Sequence, residues 1–332
     1  MKLATYNVEW FSNLFDNDGQ LYDDDRWSGR RDVTRAAQTA ALGHVFKAMD
    51  ADGIMVIEGP DSHARRDGAA ALEGFAARFG LRARRAIIGF VNHTQQEILF
   101  LYDPDMMSAE HAPSTLGAPQ FDDTIDMDLD SDDLPDGVRW SKPPLELLVT
   151  SQDKAFRVIG VHAKSKAPHG ARTKDEVMRI SIANRRKQLA QCIWLRRRIE
   201  AHLAAGDAMI VMGDFNDGPG LDEFEKLFGR SGVEIVLGEG HGEQLYDPHA
   251  EMALSRRLGA LPATARFKLP PHGRYLSALL DYIMVSQSVR DMGADWTILH
   301  PFDHPACFAD KPLMEALLTA SDHFPVVMTF DA

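Results

Sequence analysis

The chain has 332 residues, 45% of them hydrophobic, and a formal net charge of −13. That apolar share supports a large core, and the acidic balance excludes diffuse attraction to nucleic acid or anionic lipid, leaving only a local basic patch or a bound cation to reverse the field at one point. Two cysteines, Cys192 and Cys307, exclude a disulfide framework, no apolar run reaches membrane-spanning length, and no basic-then-apolar leader opens the chain, so a soluble cytoplasmic protein without a membrane partner is the expectation.

Residues 3–11, LATYNVEWF, are short, aromatic and partly alternating, which predicts a strand. Asn7 lies on the face of Leu3, Thr5 and Glu9, where it either caps the strand's exit or is held inward for a ligand. Residues 12–32 are polar and Asp-rich and read as a loop. Ala37, Ala41, Val45 and Met49 recur at i+4, predicting a helix over Thr34 to Met49. Ile54–Ile57 is a buried strand that runs into Glu58. A carboxylate directly after an apolar run is costly unless paired or liganded, which marks Glu58 as a metal candidate; the plainer reading is a Glu emerging into solvent. Ala69 to Phe79 is a second helix, and Ala86–Phe90 and Glu97–Tyr102 are strands.

Residues 121–136, FDDTIDMDLDSDDLPD, do not match a calcium loop and read as an acidic surface insertion. Leu145–Thr150 and Phe156–Val161 form a hairpin around Ser151–Lys154. His162 follows at a strand end, beside Lys164 and Lys166; a surface His near solvated lysines is the plain reading. Residues 174–204 are a long helix carrying Arg179, Arg185, Arg186, Lys187, Arg196, Arg197 and Arg198, either a solvated face or a phosphate-facing patch. The stretch 209–217, MIVMGDFND, is a buried strand that ends by presenting Asp214 and Asn216 toward one point, suited to a cation, a phosphate and a polarised water, or to an ordinary Asx turn. Leu221–Phe228 is a short helix and residues 238–274 read as loop. Asp281 sits on the strand 279–285, where a buried carboxylate needs a partner. Asp322 and His323 precede a last strand, Phe324–Phe330. No repeat or linker divides the chain, so residues 1–332 are expected to form one domain with the insertion near 121–136.

Polar residues thus recur at the ends of apolar strands: Asn7, Glu58, His162, Asp214, Asn216, Asp281, Asp322 and His323. Several together suggest loops gathered at one edge of packed sheets. Carboxylates and amides without a Cys/His cluster suit Mg²⁺ or Mn²⁺. An Asp-oriented His can deprotonate water, and a second can stabilise a phosphate. No phosphate-binding GxxxxGK[ST] loop or serine or cysteine nucleophile motif competes.

The segments TYNVEW, VIEG, EILFLYDP, GVHAKSK, GDFND, LDYIMVS and SDHFPV, in that order, resemble the endonuclease/exonuclease/phosphatase superfamily. The resemblance implies a four-layer α/β sandwich of two packed β-sheets flanked by helices. It implies Glu58 as the main metal ligand with Asn7 and Asp322 nearby. Asp214 would orient or activate the attacking water, and Asn216 would hold a phosphate oxygen. His323, aligned by Asp281, would be the general base or phosphate-polarising group. His162 would be the second active-site histidine, supported by Glu97. Pro60 stands where the pancreatic deoxyribonucleases carry a minor-groove arginine, so duplex preference is not implied. The leading expectation is a Mg²⁺- or Mn²⁺-dependent phosphodiesterase, a nuclease on DNA or RNA. The alternatives are a hydrolase of a small-molecule or lipid-headgroup phosphate, and a non-catalytic binding protein on the same scaffold.

Overall fold

The central strands are buried on both faces, so each sheet must be covered on both sides. The computed structural model describes residues 1–332 except 93, 95, 129–135, 169, 220–224, 241, 256–260 and 270–272. The first sheet has six strands in the order β14 (Asp295–Ile298), β15 (Val326–Thr329), β1 (Lys2–Asn7), β2 (Gly53–Gly59), β4 (Glu97–Tyr102) and β3 (Arg85–Ile88). The second has five, in the order β13 (Asp281–Val285), β10 (Met209–Asp214), β9 (Lys154–His162), β8 (Leu145–Ser151) and β5 (Ser108–His111). Two hairpins stand apart: β6 (Ile125–Met127) with β7 (Asp136–Val138), and β11 (Ala265–Leu269) with β12 (Arg274–Ala278).

Successive residues of a strand face opposite ways, and the cores follow that alternation. Leu3, Met55 and Phe100 meet Val158, Ile210, Met212 and Ile283 between the two sheets. The other parity of the first sheet, with Ala4, Tyr6, Ile54 and Val56, packs under α1 (Arg35–Met49), α2 (Gly68–Phe79) and α9 (Lys311–Ala320). The other parity of the second sheet, with Val161, Val211 and Tyr282, packs under α3 (Lys174–Ala204) and α5 (Gly232–Leu237). The result is a four-layer α/β sandwich. The sheets approach closely at Gly160, where a Cβ would collide with Met55 Sδ. The remaining helices are short: α4 (Glu225–Phe228), α6 (Pro248–Leu254), α7 (Gln287–Arg290) and α8 (Pro305–Ala309). Among the described residues no helix is long and apolar enough to cross a membrane.

Local chemistry explains the element ends. Thr34 caps α1 by accepting from Ala37 N, and Thr173 and Glu176 form a capping box on α3. The predicted strand 3–11 stops at Asn7, because Trp10 turns left-handed (φ 60°) and a 3₁₀ turn follows at Phe11–Leu14. The predicted loop 238–274 contains α6 and β11 and ends on the first residue of β12. Of the predicted helix 221–228, residues 221–224 lie outside the described set.

The acidic insertion is not wholly superficial. Residues 129–135 lie outside the described set, but Phe121 and Ile125 are buried, and Phe121 packs against Trp140 and Trp194. The basic helix is divided: Arg179 and Arg197 are exposed, as a solvated face requires, but three of its arginines fit neither reading. Arg185 is buried and bonded to Asp217 at 2.7 Å, and buried Arg198 is bonded to Glu146 at 2.5 Å. Arg196 donates to the carbonyls of Val236, Leu237 and Glu243. These three side chains tie the helix to the loop after β10, to α5 and its following loop, and to β8, and face neither solvent nor a phosphate.

Candidate active site

The residues between the sheets are apolar until their last row. Asn7 shares the parity of Leu3, His162 that of Val158, Asp214 that of Ile210 and Met212, and Asp281 that of Ile283. Four polar side chains therefore extend the inter-sheet rows at one end. Register completes the alignment: Asp214 on β10 pairs with His162 on β9 and with Asp281 on β13. A glycine is required one residue earlier, because Gly213 has φ 141° and a Cβ there would strike Val161 O. Alternation would turn Glu58 away from this row. A β-bulge between Ile57 and Gly59 supervenes, with Glu58 itself at φ 60°, and brings its carboxylate into the same cleft.

The cleft has a volume of about 730 Å³ and is lined by Asn7, Glu58, His162, Asp214, Asn216, Asp322 and His323. Asp214 is its hub. Its Oδ2 accepts from Asn7 Nδ2 at 2.9 Å and Asn216 Nδ2 at 3.1 Å, and its Oδ1 accepts from Asn216 N at 2.7 Å. His162 Nε2 lies 3.7 Å from Asp214 Oδ2 and 3.8 Å from Glu58 Oε1. His323 Nδ1 is 2.7 Å from Asp281 Oδ2. Asn216 holds a left-handed backbone (φ 49°), as Glu58 does, and such strain persists where surrounding structure fixes it.

Burial and neighbouring charge separate the two histidines. Burial opposes charge on His323, but the carboxylates of Asp281, Asp214 and Asp322 overcome it and hold this group well above the usual histidine range. Burial, with the charges of Lys142 and His323, pushes His162 well below that range. Burial and the nearby Asp281 raise Asp214 to about 7, and burial raises Glu58. The site thus sets a charged imidazole against a neutral one.

Glu97 is not brought to His162. Its parity is that of Leu99 and Leu101, which face the helices, and its carboxylate is held by Asn92 Nδ2 at 2.6 Å. The group at His162 is Lys142, whose Nζ lies 3.1 Å from each ring nitrogen. Sequence reasoning missed Lys142. Its signal was faint: the first lysine after an acidic run, set before Pro143-Pro144, which hold the chain extended. Both lysines after His162 line the cleft, and Lys166 Nζ is bonded to buried Asp217 Oδ1 at 2.6 Å.

The donor set fits a hard cation. Asn7 Oδ1 is buried without a hydrogen-bond partner, in the cleft that holds the Glu58 and Asp322 carboxylates. Among the described residues, Asp214, Asp281 and His323 also bring donor atoms within 4.8 Å of one another. That trio already contains the short His323–Asp281 bond.

A model of the endonuclease/exonuclease/phosphatase family matches residues 4–323. A truncated TDP2 from Caenorhabditis elegans is 14% identical, with TM-score 0.53 and coverage of 100% of this chain and 97% of that one. The 3′-5′ exonuclease NExo from Neisseria meningitidis is 15% identical, with TM-score 0.53 and full coverage of both chains, 100% and 100%. TDP2 from D. rerio, complexed with a single-strand DNA product, is 10% identical, with TM-score 0.51 and coverage of 100% and 99%. At these identities the likeness establishes the fold. A comparison with curated proteins gave no match.

Proposed function

The chain belongs to the endonuclease/exonuclease/phosphatase family, whose members hydrolyse phosphoester bonds, and from that premise we propose that it is a divalent-metal-dependent phosphodiesterase acting on nucleic acid. The observation that carries this reading is the His323–Asp281 pair at 2.7 Å facing the Asp214 hub, with an unpartnered Asn7 Oδ1 in the same cleft. We read residues 1–332 as one functional unit, since both sheets contribute side chains to that cleft.

In-line attack on a phosphodiester needs a positioned water and neutralised equatorial oxygens. Asn7, Glu58 and Asp322 would hold Mg²⁺ or Mn²⁺, which supplies part of that neutralisation when bound. Asp214, raised toward neutrality and fixed by two amides, orients the water and takes its proton. Asn216 donates to a phosphate oxygen. His323 is held charged by Asp281, which favours phosphate polarisation over the role of general base. Neutral His162 and the Lys142 ammonium flank the other side of the phosphate. Glu97 takes no part.

Similar structures were solved with a single-strand DNA product and with a product DNA hairpin, which supports the nucleic-acid reading. One observation favours a second reading: a net charge of −13 repels polyanions and suits a small phosphate ester. Hydrolysis of a generic diester, a generic monoester, single-stranded DNA, duplex DNA and RNA, with Mg²⁺ or Mn²⁺ against EDTA, tests both. The proposal expects metal-dependent cleavage of the diester and of a nucleic acid. Activity on the monoester alone selects the second reading.

A further inference from the structure

The β11–β12 hairpin has two chemically different faces. Ala265, Phe267, Leu276 and Ala278 share one, and Phe267, Leu276 and Ala278 line the catalytic cleft. Arg266, Lys268 and Tyr275 share the other, with Lys268 directly opposite Tyr275 in the register. These three line a second groove of about 450 Å³. Glu9, Asp322 and Phe267 border both cavities, so the second groove lies directly beside the cleft.

The second groove is unusual for an acidic chain. The Arg266 guanidinium lies 3.9 Å from the Tyr275 ring centroid and 4.9 Å from that of Phe302. Among the described residues neither Arg266 nor Lys268 has a carboxylate within ion-pair distance. Arg30, which also lines the groove, is bonded to Glu9, and Arg31 is 3.6 Å from Asp32 Oδ2, so those two charges are partly compensated. Tyr275 is 51% exposed although it lies in a concave wall. A flat ring capped by a guanidinium, beside an unpaired ammonium, is suited to an unstacked base followed by a phosphate.

We propose that this groove binds single-stranded nucleic acid flanking the scissile phosphate, with Tyr275 stacking one base and Arg266 and Lys268 contacting the backbone. The proposal rests on the nuclease reading above and adds strand state to it. A duplex keeps its bases stacked on each other and offers Tyr275 no ring face. A membrane is disfavoured because the surface is a groove alternating cations with apolar groups, in a molecule whose net charge repels anionic headgroups.

The test uses Lys268→Glu and Tyr275→Ala in the full chain with Mg²⁺. Each should raise KM for a single-stranded oligonucleotide about tenfold and lower its kcat/KM ratio against a small diester by the same factor. Lys268→Glu should also flatten the salt dependence of oligonucleotide binding. A ratio unchanged in both variants overturns the proposal. Direct titration of a fluorescent oligonucleotide into His323→Ala, alone and combined with Lys268→Glu, separates this proposal from the wider one. Binding weakened by Lys268→Glu supports the groove even where no cleavage is seen, and binding indifferent to it overturns the groove even where cleavage is strong. Sedimentation with phosphatidylglycerol/phosphatidylcholine vesicles that depends on Tyr275, with oligonucleotide binding unaffected, overturns it in favour of a lipid surface.

Discussion

His323 and Asp281 are 42 residues apart in sequence and 2.7 Å apart in space, and the pair gives the cleft its fixed positive group. Replacing His323 with Ala removes that group and leaves the Asp281 carboxylate without its partner. The expected loss in kcat is about 10²–10⁴-fold, with the far-ultraviolet circular dichroism unchanged. Near-wild-type turnover would defeat the assignment. Lys142→Met keeps the length of the side chain and deletes its charge beside His162. We expect about a 10²-fold fall in kcat with little change in thermal unfolding, read from steady-state kinetics. How legible each residue was follows from its backbone. Glu58 showed itself as a carboxylate ending an apolar run, which burial makes costly. Asp214 and Asn216 showed themselves by i, i+2 spacing. Lys142 comes from an irregular loop that carries no period. Glu97 was assigned by likeness of segment, but its parity sends it to the helix side.

Helix α3 was legible in full because thirty-odd residues of periodic pattern suffer no interruption, and the structure places it at Lys174–Ala204. The role of its arginines was not, since charge on a helix says nothing of the carboxylates that fold against it. Glu146 on β8 and Arg198 are both buried. Glu146→Ala leaves the buried Arg198 charge without its carboxylate, with only the carbonyls of Leu116, Ala118 and Pro119 as acceptors, and is expected to cost about 3–5 kcal/mol in denaturant unfolding, whereas a Glu146→Leu/Arg198→Met double replacement should cost less. Helix α6, read from sequence as loop, carries a pH-dependent term. His249 is pushed down to about 4 by burial, and its Nδ1 has no hydrogen-bond partner. Between the unfolded value near 6.5 and about 4, the unfolded chain binds the extra proton, so this group's share of stability is lost as pH falls through that window. Asp247 beside it is pushed up to about 7 by burial and acts with the opposite sign. The His249 term is therefore isolated as wild type minus His249→Asn. That difference should change by up to about 1.4 kcal/mol per pH unit between pH 6.5 and 4, and a flat difference would refute it.

At the scale of the whole molecule the strands were legible because both their faces are apolar, and their order was not, because register and sheet assignment depend on distant partners. The short strands β5 and β14 were missed for the same reason, each having four residues and a distant partner, and the β6–β7 hairpin because three residues a side are too few to show alternation. The cleft joins the two sheets, since Asn7 Nδ2 on the first donates to Asp214 Oδ2 on the second. A cation held at Asn7, Glu58 and Asp322 would bind the folded state alone. Mg²⁺ at about a hundred times its Kd should then add about 2.7 kcal/mol, seen as a Tm increase that EDTA reverses and Asn7→Ala diminishes. A Tm indifferent to Mg²⁺ and Mn²⁺ would count against metal at these residues. The pairing of β1 with β15 has a consequence for fragments of this chain. Asn7 and His323 lie on or beside strands far apart in sequence that are hydrogen-bonded neighbours in the sheet. A fragment that lacks either strand therefore lacks one wall of the proposed site, and cutting the chain anywhere between them separates residues that the site needs together.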